Sequence, residues 1–228
     1  FEYFINIEKL TKGVPLQHIT HLQEFMKMDF FVDENVLIPR PDTEILVEET
    51  IKIAQRMKAP KILDLCTGSG AIAISIAKNV SNAEIYAVDI SEKALKVARK
   101  NAERLEVVKK VKFIKSNLFN EIGKNKFDII VTNPPYIKKE DIQYLSDEVQ
   151  NEPLLALDGG LDGLDFYRKI LNQAIDYMKF DGYICMEIGY NQKEEVLELI
   201  KQNNQYTDTY SKKDLHGNDR IIVTRVRG

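Results

Sequence analysis

Lys61-Ile62-Leu63-Asp64-Leu65-Cys66-Thr67-Gly68-Ser69-Gly70 decides the fold. Its apolar first half suits a buried strand, its glycines suit a tight turn, and helical spacing runs from Ala71 to about residue 78. Strand, glycine-rich turn and helix in that order open a nucleotide-binding α/β fold. The next strand, Glu84-Ile85-Tyr86-Ala87-Val88, ends in Asp89, about twenty residues past the glycines, where a carboxylate can accept both hydroxyls of a ribose. Ser91 has N-cap chemistry for a helix carrying Ala94, Leu95, Val97, Ala98, Ala102 and Leu105. A third strand, Val111-Lys112-Phe113-Ile114-Lys115, leads to Ser116-Asn117-Leu118-Phe119. A fourth, Phe127-Asp128-Ile129-Ile130-Val131-Thr132, delivers Asn133-Pro134-Pro135-Tyr136.

Those last four residues form a rigid loop at the strand edge where open α/β sheets bind ligands. Each proline fixes its own φ, lacks an N–H and biases the residue before it toward extended backbone. A carboxamide, two unpaired carbonyls and an aromatic ring are therefore presented together, although Asn-Pro and Pro-Pro are also ordinary loop dipeptides. A polar, acidic stretch then runs to about residue 163, broken by Gly159-Gly160, and reads as a mobile excursion or lid candidate. Phe166, Ile170, Leu171, Ala174 and Met178 give a helical stripe, followed by a fifth strand over 182–188 and a helix from 192 to about 202. Two further strands are expected near 205–210 and 221–225.

Upstream, Phe1, Phe4, Ile5 and Leu10 lie on one helical face that Gly13-Val14-Pro15 ends, and 16–38 reads as a β-hairpin turning at Asp33-Glu34-Asn35. Pro39-Arg40-Pro41-Asp42-Thr43-Glu44 leads into another helix, with Asp42 or Thr43 as its N-cap. The segment reads equally as a plain helix-entry loop and as a stiffly aimed cation at Arg40.

The 228 residues, 44% of them hydrophobic, suffice for one large domain or for a domain plus an appendage. No apolar run nears the roughly 18 to 20 residues that cross a bilayer, and no signal peptide opens the chain. The expected compartment is the cytoplasm. Cys66 and Cys185 sit in apolar runs and share no ligand spacing with His18, His21 and His216, so buried thiols are expected and no metal site. With 32 basic and 35 acidic residues the net charge is −3, which disfavours a protein that coats itself in nucleic acid.

The glycine pattern separates two nucleotide chemistries. Asp64 to Gly70 is not G-x-G-x-x-G, and an acidic residue in the strand before the turn would repel a pyrophosphate. It suits a ligand with an ammonium and a sulfonium, such as S-adenosyl-L-methionine. The ribose would meet Asp89, the adenine edge Asn117 with Leu118 as an apolar wall, and the methionyl part the turn Asp64-Leu65-Cys66-Thr67-Gly68-Ser69-Gly70. Singly, Asp64 could cap a strand end, Asp89 the next helix, and Asn117 could form a turn; at the ends of successive parallel strands the cofactor reading prevails.

The same glycine turn, Asn133-Pro134-Pro135-Tyr136, Ile38-Pro39-Arg40-Pro41-Asp42-Thr43-Glu44 and Gly13-Val14-Pro15-Leu16-Gln17-His18-Ile19 together resemble the HemK/PrmC family of peptide release factor methyltransferases. The likeness runs from residue 13 to the end. Asn-Pro-Pro-Tyr is shared with adenine-N6 DNA methyltransferases, so the Pro-Arg-Pro segment is the more specific signal. The resemblance implies a class I methyltransferase fold, α/β with a seven-stranded, mostly parallel, Rossmann-like sheet and an antiparallel last strand. It implies methylation of the side-chain amide nitrogen of the glutamine in the Gly-Gly-Gln motif of release factors, with S-adenosyl-L-homocysteine as product. Residues 1–15 would be a linker helix left from an N-terminal helical domain, 16–40 the hairpin and 41–228 the methyltransferase domain, which is also what the start at Phe1 suggests. The protein is expected to be monomeric, off the membrane and without need of nucleic acid. Two positions depart from the family, which often has glycine at Cys66 and aspartate at Asn117.

The resemblance and the chemistry of the acceptor give roles to single residues. A carboxamide nitrogen is a poor nucleophile because its lone pair is delocalised, so positioning must carry the rate. The Asn133 side-chain oxygen and the Pro134 carbonyl would accept its two hydrogens, Tyr136 would pack on its plane, and Pro135 and Arg40 would complete the substrate side. The proton becomes acidic once the nitrogen is alkylated, so no general base is needed before transfer. The same geometry serves an aromatic exocyclic amine, which keeps adenine-N6 methylation of DNA or RNA as the alternative. A non-catalytic cofactor-binding module is a third reading, with no use for the clamp.

Overall fold

The computed structural model describes residues 2–227, so Phe1, expected on the first helix, lies outside them. Helix α1 (Glu2–Thr11) stops before Gly13, whose φ of 76° suits a glycine. Helix α2 (Leu16–Thr20) occupies the start of the expected hairpin. The hairpin itself is short, β1 (Gln23–Phe25) against β2 (Met28–Phe30), and it turns at Met26 and Lys27 rather than at Asp33. Both turn residues have positive φ, 51° and 59°, the twist a two-residue hairpin needs. Burial of Phe25 and Phe30, edge to face at 6.0 Å, offsets that strain. Asp33 closes a side-chain turn instead, accepting from the Asn35 amide at 2.9 Å.

Helix α3 (Thr43–Ala54) is followed by β3 (Lys61–Leu65), α4 (Ala71–Asn79), β4 (Glu84–Asp89) and α5 (Glu92–Arg104). Ser91 caps α5, its side chain accepting from the Ala94 amide. Then come β5 (Val111–Lys115), β6 (Phe127–Thr132), the single turn α6 (Asp147–Gln150), α7 (Asp165–Ala174), β7 (Met178–Glu187), α8 (Lys193–Lys201), β8 (Tyr206–Lys213) and β9 (Asp219–Val226). The seven-stranded sheet has the order β5-β4-β3-β6-β7-β9-β8, and β9 alone runs antiparallel to its neighbours. Strand alternation splits the core into two layers. Ile62, Ile85, Ile129 and Cys185 meet Leu46, Val47, Ile72 and Ile76 on one face; Leu63, Leu65, Ile130 and Ile184 meet Tyr167, Ile170, Leu171 and Val196 on the other.

Register decides where the site lies. Leu65 pairs with Val88 and with Thr132, so the glycine turn, Asp89 and Asn133 leave the sheet at one level. The stretch 137–163 is no free excursion. Ile137 and Asp158 bridge in parallel, and Gly159 donates to the Ile137 carbonyl at 2.8 Å. Asn151 donates to the Gly13 carbonyl at 3.1 Å, while the buried Glu152 accepts from the Ile38 amide at 2.9 Å and pairs with Arg40. No helix among the described residues is long and apolar enough to cross a membrane.

Candidate active site

Two clefts open at the carboxyl edge of the parallel strands. The first is lined by Cys66, Gly68, Asp89, Ile90, Asn117, Leu118 and Phe166, with Val36 and Leu37 closing it from the segment after β2. Asp89 is fixed by the turns around it: Oδ2 accepts from the Gly68 amide and Oδ1 from the Ser91 amide, each at 2.9 Å. The carboxylate keeps acceptor capacity for a ligand hydroxyl. Burial pushes this carboxyl above its ordinary pKa, and the backbone donors at Ser91, Gly68 and Ile90 pull it back. Among the described residues, none that lines this cleft is a lysine, arginine or histidine.

The glycine turn divides by role. Cys66 and Gly68 face the cleft, and Cys66 has φ 61°, a left-handed backbone that glycine adopts more freely. Asp64, Thr67, Ser69 and Gly70 do not line it; they build the turn from beneath. Asp64 is fully buried, accepts from the Thr67 hydroxyl at 2.6 Å and the Ala73 amide at 3.2 Å, and keeps Oδ1 without a partner among the described residues. Burial pushes its carboxyl up to about 7. A Cβ at Gly70 would lie 2.9 Å from the Ile74 side chain and 3.1 Å from that of Ala98, so glycine there permits close packing of α4 on α5.

The second cleft is lined by Arg40, Asn133, Pro134, Tyr136, Leu145 and Glu187. Asn133, Leu37 and Ala156 line both clefts, so they form the wall between them. Pro135 faces the first cleft. Asn133 Nδ2 donates to the Thr43 hydroxyl at 3.3 Å, and neither Asn133 Oδ1 nor the Pro134 carbonyl has a hydrogen-bond partner among the described residues. The Tyr136 carbonyl accepts from Gln192 at 2.9 Å, and its hydroxyl donates to Glu187 at 3.3 Å. Burial and the Glu187 carboxylate hold the Tyr136 hydroxyl protonated far above neutral pH. Arg40 reaches this cleft with its guanidinium already paired to Glu152.

Sequence reading put Phe166 on a helical stripe and gave neither it nor Ile90 or Glu187 a place at the site. Glu187 carried the signal that found Asp89, an acidic residue ending an apolar strand. Asp42, Asp214 and His216 also gather closely, but Arg220 lies between the two carboxylates at 3.3 and 3.0 Å and supplies the positive charge there.

A family described as a methyltransferase domain matches residues 56–221. A release factor glutamine methyltransferase of Fusobacterium nucleatum is 44% identical over 216 residues, 94% of this chain and 60% of that protein. One of Clostridium acetobutylicum is 42% identical over 231 residues, covering all of this chain and 80% of its own length. Among solved structures, ribosomal protein L11 methylase from Lactobacillus delbrueckii superposes with a TM-score of 0.62 at 20% identity, with 90% of each chain covered. That likeness is one of fold alone.

Proposed function

The chain belongs to the family of release factor glutamine methyltransferases, and on that premise we propose that it methylates the side-chain amide nitrogen of a glutamine in a peptide chain release factor. The glutamine is that of the Gly-Gly-Gln motif and the methyl donor is S-adenosyl-L-methionine. One observation carries the reading: Asn133 stands in the wall between a cleft suited to a cationic nucleoside and a cleft suited to a carboxamide.

The first cleft fits the donor on chemical grounds. A dinucleotide or nucleotide phosphate would find no cation in it, whereas a ligand with ammonium and sulfonium charges finds the Asp89 carboxylate and no repelling group. Asp89 would hold the ribose diol, Ile90, Leu118 and Phe166 the faces of the adenine, Asn117 its edge, and Cys66 with Gly68 the methionyl portion. Bound there, S-adenosyl-L-methionine supplies an electrophilic methyl group.

The protein's part is orientation. Asn133 Oδ1 and the Pro134 carbonyl, both free to accept, would bind the two hydrogens of the glutamine amide and stabilise positive charge that develops on its nitrogen. Tyr136 would cover the amide plane and, staying protonated, take no proton. The proton lost from the alkylated nitrogen passes to water. Arg40, committed to Glu152, would shape the cleft wall and offer its exposed edge to the substrate backbone. Acting on a release factor, the chain would work in the cytoplasm, and we read it as a monomer beside its protein substrate.

Radiolabelled S-adenosyl-L-methionine offered in parallel to unmethylated release factor, duplex DNA and buffer tests the proposal. Label is expected in release factor, and lost when its glutamine is replaced. Label in DNA alone would overturn it in favour of adenine-N6 chemistry.

A further inference from the structure

Thr43 opens α3, yet its hydroxyl is not used in capping. Asp42 holds the cap position and makes no cap bond. Thr43 is 4% exposed and Glu187 1% exposed; Glu187 lines the acceptor cleft, and Thr43 lies behind it against the lining residue Asn133. Their polar atoms are directed at the residues proposed to clamp the substrate. Asn133 Nδ2 donates to Thr43 Oγ1 at 3.3 Å and the Tyr136 hydroxyl donates to Glu187 Oε1 at 3.3 Å, and the Thr43 hydroxyl lies near enough to the Glu187 carboxyl to favour its ionised form against burial. Glu187 Oε2 is buried and makes no hydrogen bond of good geometry among the described residues.

We infer that Thr43 and Glu187 are positioning residues for the acceptor clamp: Thr43 sets which way round the Asn133 carboxamide lies, and Glu187 orients the Thr43 hydroxyl and the Tyr136 ring. The inference rests on the amide methyltransferase reading. A carboxamide turned over about its last torsion exchanges its acceptor for its donor. Asn133 keeps its oxygen for a substrate N–H only while its nitrogen is held elsewhere. Thr43 alone would not decide this, because a hydroxyl both donates and accepts. An ionised Glu187 only accepts, so it draws the single Thr43 hydrogen and leaves Thr43 to accept from Asn133. The charged groups facing Glu187 are Arg220, which favours its ionised form, and Asp42, which opposes it. The threonine of Pro39-Arg40-Pro41-Asp42-Thr43-Glu44 thus acquires a task that helix entry alone does not give it.

The test is steady-state methylation of unmodified release factor by the full chain and by Thr43→Val, Thr43→Ser, Glu187→Gln and the Val/Gln double variant. Each is also titrated with S-adenosyl-L-homocysteine and melted. Thr43→Val is expected to lower kcat by about tenfold or more with the homocysteine product's Kd within about twofold, since only the acceptor side is disturbed. Thr43→Ser is expected to recover most of kcat. The double variant is expected to be no slower than the slower single, because both changes act on one carboxamide. Wild-type kcat in Thr43→Val, failure of serine to rescue, or multiplicative losses in the double variant would each overturn the inference. Absence of label from release factor with the unaltered chain would instead overturn the functional reading, and this inference with it.

Discussion

Asp89 and Asn133 separate binding from chemistry at the scale of single residues. Asp89→Ala removes the proposed ribose partner and the acceptor that ties the Gly68 and Ser91 amides together. Cofactor affinity is expected to fall by about 1.5 to 3 kcal/mol, the range for hydrogen bonds to a charged group, read by calorimetry with S-adenosyl-L-homocysteine. Asn133→Ala is expected to leave that affinity near wild type and to lower kcat by about a hundredfold or more, because what it removes is charge stabilisation at the reacting nitrogen. Asp64 bears on how stability depends on pH. Burial raises its folded pKa to about 7, so folding is favoured while the group is protonated and loses that contribution as pH rises from the unfolded value near 4 through 7. Asp64→Asn is expected to flatten the decline in urea-melt stability between pH 4 and 8. Glu187, raised to about 7 by burial, adds a loss of the same sign. The sequence located Asp89, Asn117 and Asn133 because a residue ending a parallel strand has one place to go. It did not tell Cys66 and Gly68, which face the cleft, from Asp64, Thr67, Ser69 and Gly70, which lie under it, because spacing defines a turn and not the side each residue shows.

Elements behave as their tethers dictate. The stretch 137–163 looked free in sequence because it has no apolar period, yet side-chain to backbone bonds from Asn151 and Glu152 hold it. Those partners lie more than a hundred residues away, a distance at which no local pattern reports. Glu152→Ala leaves the Ile38 amide and the half-exposed Arg40 without their acceptor. It is expected to cost about 1 to 3 kcal/mol in urea melts and to raise KM for release factor more than KM for the cofactor, since the wall it braces belongs to the second cleft. The hairpin misled for a related reason. Met26-Lys27 carries no turn signature, and burial of Phe25 and Phe30 overrode local preference.

At the scale of the molecule, the mostly parallel sheet and the strand edge that carries the site were legible because hydrophobic runs alternate with helical stripes, which restricts parallel strands to few arrangements. The sheet also gives a probe of its own integrity. Cys185 lies on β7 between β6 and β9, has no exposed surface, and burial pushes its thiol up to about 12. It is expected to react with thiol reagents only through global unfolding, so its labelling rate should rise as urea-melt stability falls across the variants above. The shared wall has a further consequence for inhibition. Among the described residues, Leu37, Asn133 and Ala156 line both clefts, so an adenosine and a glutamine-like amide joined by a short tether could occupy both at once. Such a bisubstrate compound would lose its rotational and translational freedom once for two sets of contacts, and the length of its tether would be set by the thickness of one asparagine side chain.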